Sequence, residues 1–137
     1  MSEFLSFQKV FKGDIVVPSH PDYDAAIVRW APNAERKAKI IAFVQDAADV
    51  YAVITFSKAS KLPLAIRGGG HSCSGASSSQ DGVVIDLSRY LNGVKIDPEN
   101  QLAYVGGGAV WSTVDKAAIE HGLAGVGGTV NHVKKFW

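Results

Sequence analysis

Residues 64–72 read LAIRGGGHS, and this stretch decides the fold more than any other part of the chain. A short apolar run is followed by an arginine, three consecutive glycines and His71. Residues without a Cβ atom adopt positive φ at no steric cost and let backbone N–H groups approach a bound anion closely. The stretch therefore predicts a strand that leads into a phosphate-binding loop, with His71 placed to contact the rest of the same ligand.

The residues before this stretch predict a parallel sheet. Residues 40–45 are mostly apolar and indicate a strand, and Asp46 is suited to cap a helix that reaches about Ser60. Pro63 closes that helix, and residues 62–66 form the next strand. A strand, a helix and a strand in this order form a β-α-β unit, whose strands run parallel through a right-handed crossover.

The residues after it complete an α+β fold. Residues 83–87 predict a third strand of the small, mostly parallel sheet, and residues 93–105 predict a hairpin around the turn sequence DPEN. Apolar spacing and end signals predict helices at about 21–31, 46–60 and 110–121.

Composition excludes several classes of function. The 137 residues suffice for one domain with a sizeable core. A formal net charge of +1 and no strongly basic stretch argue against nucleic-acid binding. The single cysteine, Cys73, forms no internal disulfide, and neither a signal peptide nor a membrane-spanning window is recognisable. We therefore expect a soluble protein, in the cytoplasm, without a nucleic-acid or membrane partner.

Two common glycine motifs do not fit the loop. In the dinucleotide fingerprint G-x-G-x-x-G, the third glycine position is occupied by Cys73, and no helix follows. A P-loop needs Gly-Lys-Ser/Thr, which the chain lacks. What remains is a glycine loop between two strands, which is either a phosphate-binding loop or a tight irregular turn. The glycines at 106–108, between the hairpin and the last helix, likewise indicate either close packing or cofactor contact.

The loop and its surroundings resemble a known family. The motifs that carry the resemblance are RGGGHS at 67–72, Gly75, Ser77, Ser78 and GVVIDLS at 82–88. They are similar to the flavin-binding (PCMH-type) domain of the vanillyl-alcohol oxidase/p-cresol methylhydroxylase superfamily, in the branch of berberine bridge enzyme-like and hydroxynicotine oxidase-like FAD-linked oxidases. The resemblance extends over roughly residues 12–132. It implies a partial FAD-binding domain at 40–137, preceded by an N-terminal extension at 1–39 with a short strand and a helix.

The resemblance implies FAD as the cofactor, with its pyrophosphate in the first glycine loop and a covalent bond from His71 to the flavin 8α-methyl group. A second covalent bond is not expected, because residues 126–132 contain no cysteine. It also implies oxidation of a small organic substrate and reoxidation by O₂. No catalytic base and no metal site are predicted. The implied cofactor-binding residues are Arg67, Gly68, Gly69, Gly70, His71, Ser72, Gly75 and Ser77 from the first loop, with Gly128, Thr129 and His132 from a second.

The family pattern continues beyond the region of His132 with further glycines and a substrate domain, whereas this chain reaches Trp137. Two functions therefore stay open: a flavin-dependent oxidoreductase domain, or a non-catalytic, truncated flavin-binding fragment. A purified protein that is yellow would favour a working cofactor site. A third hypothesis, a generic phosphate-binding module, requires nucleotides without flavin to bind as tightly as FAD.

Overall fold

A computed structural model describes residues 2–128, 130, 131 and 133 of the protein. The four helices are α1 (Ser2–Val10), α2 (Tyr23–Ile27), α3 (Ala47–Ala59) and α4 (Trp111–Ile119), and a 3₁₀ turn covers Pro32–Ala34. The six strands are β1 (Asp14–Val16), β2 (Ile40–Phe43), β3 (Leu64–Arg67), β4 (Val83–Asp86), β5 (Val94–Asp97) and β6 (Leu102–Val105).

The main sheet has the strand order β1-β2-β4-β3, and β5 pairs with β6 as a separate antiparallel hairpin. Strands β2 and β3 both run parallel to β4, while β1 is antiparallel to β2. All residues of β2 and β4 are buried, as expected for apolar strands that are covered on both faces of a parallel sheet. The predicted α+β fold, with its β-α-β unit and hairpin, is confirmed.

The sheet separates two apolar clusters, because alternate residues of a strand point to opposite faces. One cluster holds Ile40 and Ala42 with side chains of α1 and α3, and the other holds Ile41 and Phe43 with side chains of α2. Strand β1 pairs with β2 through Ile15 and Ala42. The boundary placed between residues 39 and 40 stays a prediction.

The start of α3 is as predicted. The side chain of Asp46 accepts a hydrogen bond from the backbone N–H of Asp49, at 3.0 Å. The fully buried carboxylate of Asp49 in turn accepts the backbone N–H groups of Lys12 and Gln45, each at 2.9 Å. These bonds connect the entry to β1 with the end of β2 and the first turn of α3.

Two of the helices differ from the sequence prediction. Helix α1 was not predicted, although Phe4, Phe7 and Phe11 have helical spacing; Phe7 is buried and stacks on Phe56, with ring centroids 4.8 Å apart. The helix predicted over 21–31 ends at Ile27 instead, where Val28 turns to extended backbone with ψ 137°.

A buried arginine caps the end of α2. The guanidinium of Arg29 donates to the carbonyl oxygens of Ala26, Ile27 and Val28, at 2.8–3.1 Å, and so pairs carbonyls that the end of the helix leaves without backbone partners. Among the described residues, no helix is long and apolar enough to span a bilayer.

Candidate functional site

The glycine loop begins where edge strand β3 ends, and one of its three glycines has an unusual backbone. Gly70 has a φ of +74°, a conformation that favours glycine. A Cβ atom at this position would lie 3.2 Å from Cδ of Arg29 and 3.3 Å from Nε of Arg67. Both the backbone conformation and the space next to the two arginines therefore call for glycine.

The buried side chain of Arg29 holds the loop by hydrogen bonds. Its side chain is 5% exposed, and Nε and Nη2 donate to the carbonyl oxygen of Ser77 at 3.1 and 2.8 Å. The next residue, Trp30, donates its backbone N–H to the carbonyl oxygen of Gly70 at 3.1 Å. Arg29 and Trp30 thus connect the end of α2 to both parts of the loop, and no motif in the sequence predicts this role for them.

The charges behind the loop favour an anion. Arg67 contacts the fully buried Asp86 at 3.0 Å. By contrast, in the described part of the chain every side-chain hydrogen bond of Arg29 goes to a carbonyl oxygen and none to a carboxylate. Burial, and next to it the neighbouring charge of Arg67, lowers the pKa of Arg29 to about 10. The group therefore remains a cation at neutral pH, held next to Gly70.

Two hydroxyl groups in the loop lack partners. The Oγ atoms of Ser77 and Ser78 are buried, and neither has a hydrogen-bond partner among the described residues. Buried polar atoms are nearly always paired, so an unpaired hydroxyl indicates a ligand or a water molecule. A pyrophosphate offers oxygen acceptors to such hydroxyls and to loop amides. The residues present therefore fit the phosphate part of FAD.

A cavity of about 690 Å³ opens between the edge strand and the loop. Its wall is formed mostly by apolar side chains of β3 together with loop backbone, which suits a large, partly aromatic ligand. Another cavity, of about 520 Å³, lies between α1 and α3 and contains none of the predicted site residues. The first cavity is lined by Leu64, Ala65, Ile66, Gly68, Gly69, Gly70, His71, Ser72, Ala76, Ser77 and Val133.

The predicted residues of the first loop share this cavity wall apart from Arg67 and Gly75. Gly75 has a φ of +85°, and the Oγ of Ser72 accepts the backbone N–H of Ala76 at 3.2 Å, so both shape the turn that follows His71. Cys73 is exposed and free.

The second predicted loop contributes differently. A Cβ atom at Gly128 would lie 2.5 Å from Nε1 of Trp111, so this glycine allows the chain to pack against an indole ring. The carbonyl oxygen of Val133 accepts the backbone N–H of Trp111, and Val133 also lines the cavity, which brings this segment to the first loop. Thr129 and His132 lie outside the described residues.

The glycines at 106–108 are explained by packing. A Cβ atom on Gly106 would lie 2.3 Å from the carbonyl oxygen of Leu91, and one on Gly108 would lie 2.0 Å from that of Leu87. Of the two roles considered for these glycines, the contacts favour close packing between the hairpin and the segment after β4.

Comparison with known proteins identifies the family to which the chain belongs. A family described as FAD binding domain matches residues 38–132. The chain is 30% identical to (R)-6-hydroxynicotine oxidase of Paenarthrobacter nicotinovorans over 93% of its length, and 32% identical to an uncharacterized FAD-linked oxidoreductase of Bacillus subtilis over 88%. It spans 28% and 27% of those two proteins, or about a quarter of their length.

Solved structures show the same fold. The crystal structure of 6-hydroxy-D-nicotine oxidase from Arthrobacter nicotinovorans superposes with a TM-score of 0.86 at 29% identity, over 90% of this chain and 27% of that one. A berberine bridge enzyme-like protein from Physcomitrella patens superposes with a TM-score of 0.76 at 20% identity, over 85% of this chain and 25% of that one. The second similarity supports the fold alone.

Proposed function

Because the chain belongs to the family of FAD binding domains, with FAD as its cofactor, we propose that it is the cofactor-binding part of an FAD-linked oxidoreductase. The proposed substrate is a small organic molecule, and the proposed electron acceptor is O₂, in keeping with relatives that are named oxidases. Bound FAD would supply the two-electron chemistry, and the protein would supply binding and orientation.

The observation that carries the proposal is the unpaired, buried hydroxyl of Ser77, which lines the large cavity together with the glycine loop. We assign the phosphates to the loop amides and to Ser77, with Ser72 and Gly75 shaping the turn and the cations Arg29 and Arg67 behind it. Gly128, Thr129 and His132 are proposed as contacts from the second loop. In this proposal, the flavin ring lies toward His71, which would carry the covalent bond.

Ser77→Ala tests the assignment. Removal of an unpaired buried hydroxyl leaves no protein partner unsatisfied, so we expect the free energy of unfolding of the flavin-free protein to stay the same or to rise slightly. The affinity for FAD should fall about tenfold, which corresponds to about 1.4 kcal/mol for one hydrogen bond. Chemical denaturation and titration with FAD measure the two quantities.

Ser57→Ala is the matched control, because its buried hydroxyl donates to the carbonyl oxygen of Leu62 at 2.7 Å. That variant should lose about 1 kcal/mol of stability, since it removes the hydrogen bond from a buried hydroxyl to the partly buried carbonyl oxygen of Leu62. Unchanged FAD affinity in Ser77→Ala would remove Ser77 from the site. Equal affinity of the unsubstituted protein for ADP and for FAD would favour a generic phosphate-binding module.

The covalent bond is tested separately. If His71 is attached to the flavin, yellow colour should remain with the acid-precipitated polypeptide, and mass spectrometry should find an FAD-sized adduct on the peptide with His71. His71→Ala should leave only flavin that acid releases. Acid-stable flavin in that variant would place the bond on another residue.

A further inference from the structure

Trp30 and His71 form a pair of stacked rings, and His71 of this pair lines the cavity. Their ring centroids are 5.5 Å apart, and the ring planes differ by 21°. Trp30 is 68% exposed, so burial in the core does not hold its indole in place. The indole instead covers one face of the imidazole.

The backbone beneath the pair is fixed on both sides. Trp30 donates its N–H to the carbonyl oxygen of Gly70, which immediately precedes His71. Arg29 makes five side-chain hydrogen bonds to carbonyl oxygens, two of them to Ser77 across the loop. The backbone of Trp30 is therefore hydrogen-bonded to the loop that carries His71, which fixes the point of attachment of the indole relative to the imidazole.

The stacked arrangement leaves the reactive edge of His71 free. Within the described part of the chain, no hydrogen bond reaches either ring nitrogen of His71, and the ring stacks on Trp30. A stacked neighbour restricts rotation of the ring plane but does not cover the in-plane lone pair or N–H. His71 also lines the cavity, so its side chain lies beside the space proposed for the ligand.

We propose that Trp30 is a positioning residue, which sets the plane of the His71 imidazole for bond formation with the flavin. The inference rests on the proposed function. In the bond-forming step an imidazole N–H and one C–H of the 8α-methyl group are replaced by one N–C bond. Two protons leave, and the electron pair is taken up by the flavin until O₂ accepts it and is reduced to hydrogen peroxide.

The test measures covalent attachment and reversible binding separately. Protein purified without flavin is mixed with FAD, and the rate at which acid-stable flavin appears is followed. In Trp30→Leu this rate should fall at least tenfold, and in Trp30→Phe, which keeps a flat ring, most of the rate should return. Tyr51→Leu is the matched control, because Tyr51 is a similarly exposed aromatic (73%) on α3 and should leave the rate unchanged.

Reversible affinity is measured in a His71→Ala background, where no histidyl bond forms. Adding Trp30→Leu to that background should change the dissociation constant for FAD less than threefold. A larger change would show that Trp30 contacts the flavin directly and would overturn the positioning role. An unchanged attachment rate in Trp30→Leu would overturn it as well.

A readout without flavin completes the test. The ring current of Trp30 should shift the NMR signal of the His71 Cε1 proton, and Trp30→Leu should remove that shift while Tyr51→Leu should not. An identical His71 signal in Trp30→Leu would overturn the stacking contact itself. If the unsubstituted protein binds FAD but forms no acid-stable flavin, the covalent assignment of His71 fails and the positioning role fails with it.

Discussion

At the scale of single residues, Gly70 combines two requirements that no other residue type meets together. Its positive φ disfavours any side chain. A Cβ atom there would also lie next to Cδ of Arg29 and Nε of Arg67. The sequence motif indicated that glycine was needed here. It could not indicate that the buried Arg29 was part of the reason, since Arg29 lies far away in the sequence.

Gly70→Ala should therefore be costly. A non-glycine residue in the left-handed region costs about 1–2 kcal/mol, so we expect the free energy of unfolding to fall by at least that amount. Denaturant unfolding measures it. Gly93→Ala is the control, because a Cβ atom there would meet nothing within 4 Å and Gly93 does not have positive φ. Equal stability of the two variants would contradict the strain argument.

Residue-scale prediction from the sequence was strong for local motifs and weak for distant contacts. RGGGHS predicts a strand that leads into a loop because strand, glycines and histidine are consecutive, and the loop that follows β3 lines the cavity. Arg29 and Trp30 belong to the same neighbourhood, but only through contacts made across some 40 residues of chain, with Gly70, His71 and Ser77. No local spacing encodes such contacts.

At the scale of elements, helix ends depended on side chains that the sequence revealed unequally. Asp46 was recognised as a cap because a capping aspartate acts on an N–H group three residues away. The sequence predicts too long a helix α2, because apolar spacing continues to Trp30, whereas the helix ends at Ile27 and the guanidinium of Arg29 caps its carbonyl end. Helix α1 was overlooked although its phenylalanines have helical spacing.

Because of the Asp46 carboxylate at the start of α3, the free energy of unfolding should depend on pH. The hydrogen bond from the ammonium of Lys12, and then the backbone N–H of Asp49, lowers the pKa of Asp46 below its ordinary value. A carboxylate whose folded pKa is depressed stabilises the fold above its unfolded pKa, of about 3.9, and loses that effect as the pH falls through the folded pKa.

We therefore expect Asp46→Asn to unfold at a lower urea concentration than the unsubstituted protein at pH 7, even though asparagine can still cap the helix. The two urea midpoints should converge as the pH is lowered through the acid range. The comparison isolates Asp46, because both proteins share all other titrating groups. A difference between the midpoints that stays constant with pH would refute the charge-based explanation.

At the scale of the whole molecule, α1 covers one face of the main sheet. Phe7 is 4% exposed and lies in the cluster that contains Val53, Phe56 and Ile85. Removal of a buried phenyl ring leaves a cavity in a close-packed core. The N-terminal helix is therefore part of the structure that supports the sheet and, through β3, the glycine loop.

Phe7→Ala should lower the free energy of unfolding by about 3–5 kcal/mol. Leu5→Ala on the same helix should change it by less than about 0.5 kcal/mol, because Leu5 is 54% exposed. Thermal or chemical denaturation followed by circular dichroism measures both. If the two variants were equally stable, α1 would not be docked on the sheet in solution.

The strand order β1-β2-β4-β3 also has a consequence for biosynthesis. As the ribosome releases the chain, β2 and β3 emerge before β4, the strand with which both must pair. The edges of β2 and β3 that face β4 stay unpaired until residue 86 has been synthesised, although β2 can already pair with β1. Such non-local pairing is slow and exposes strands to aggregation. The sheet and the first glycine loop therefore reach their final geometry only after β4 has emerged.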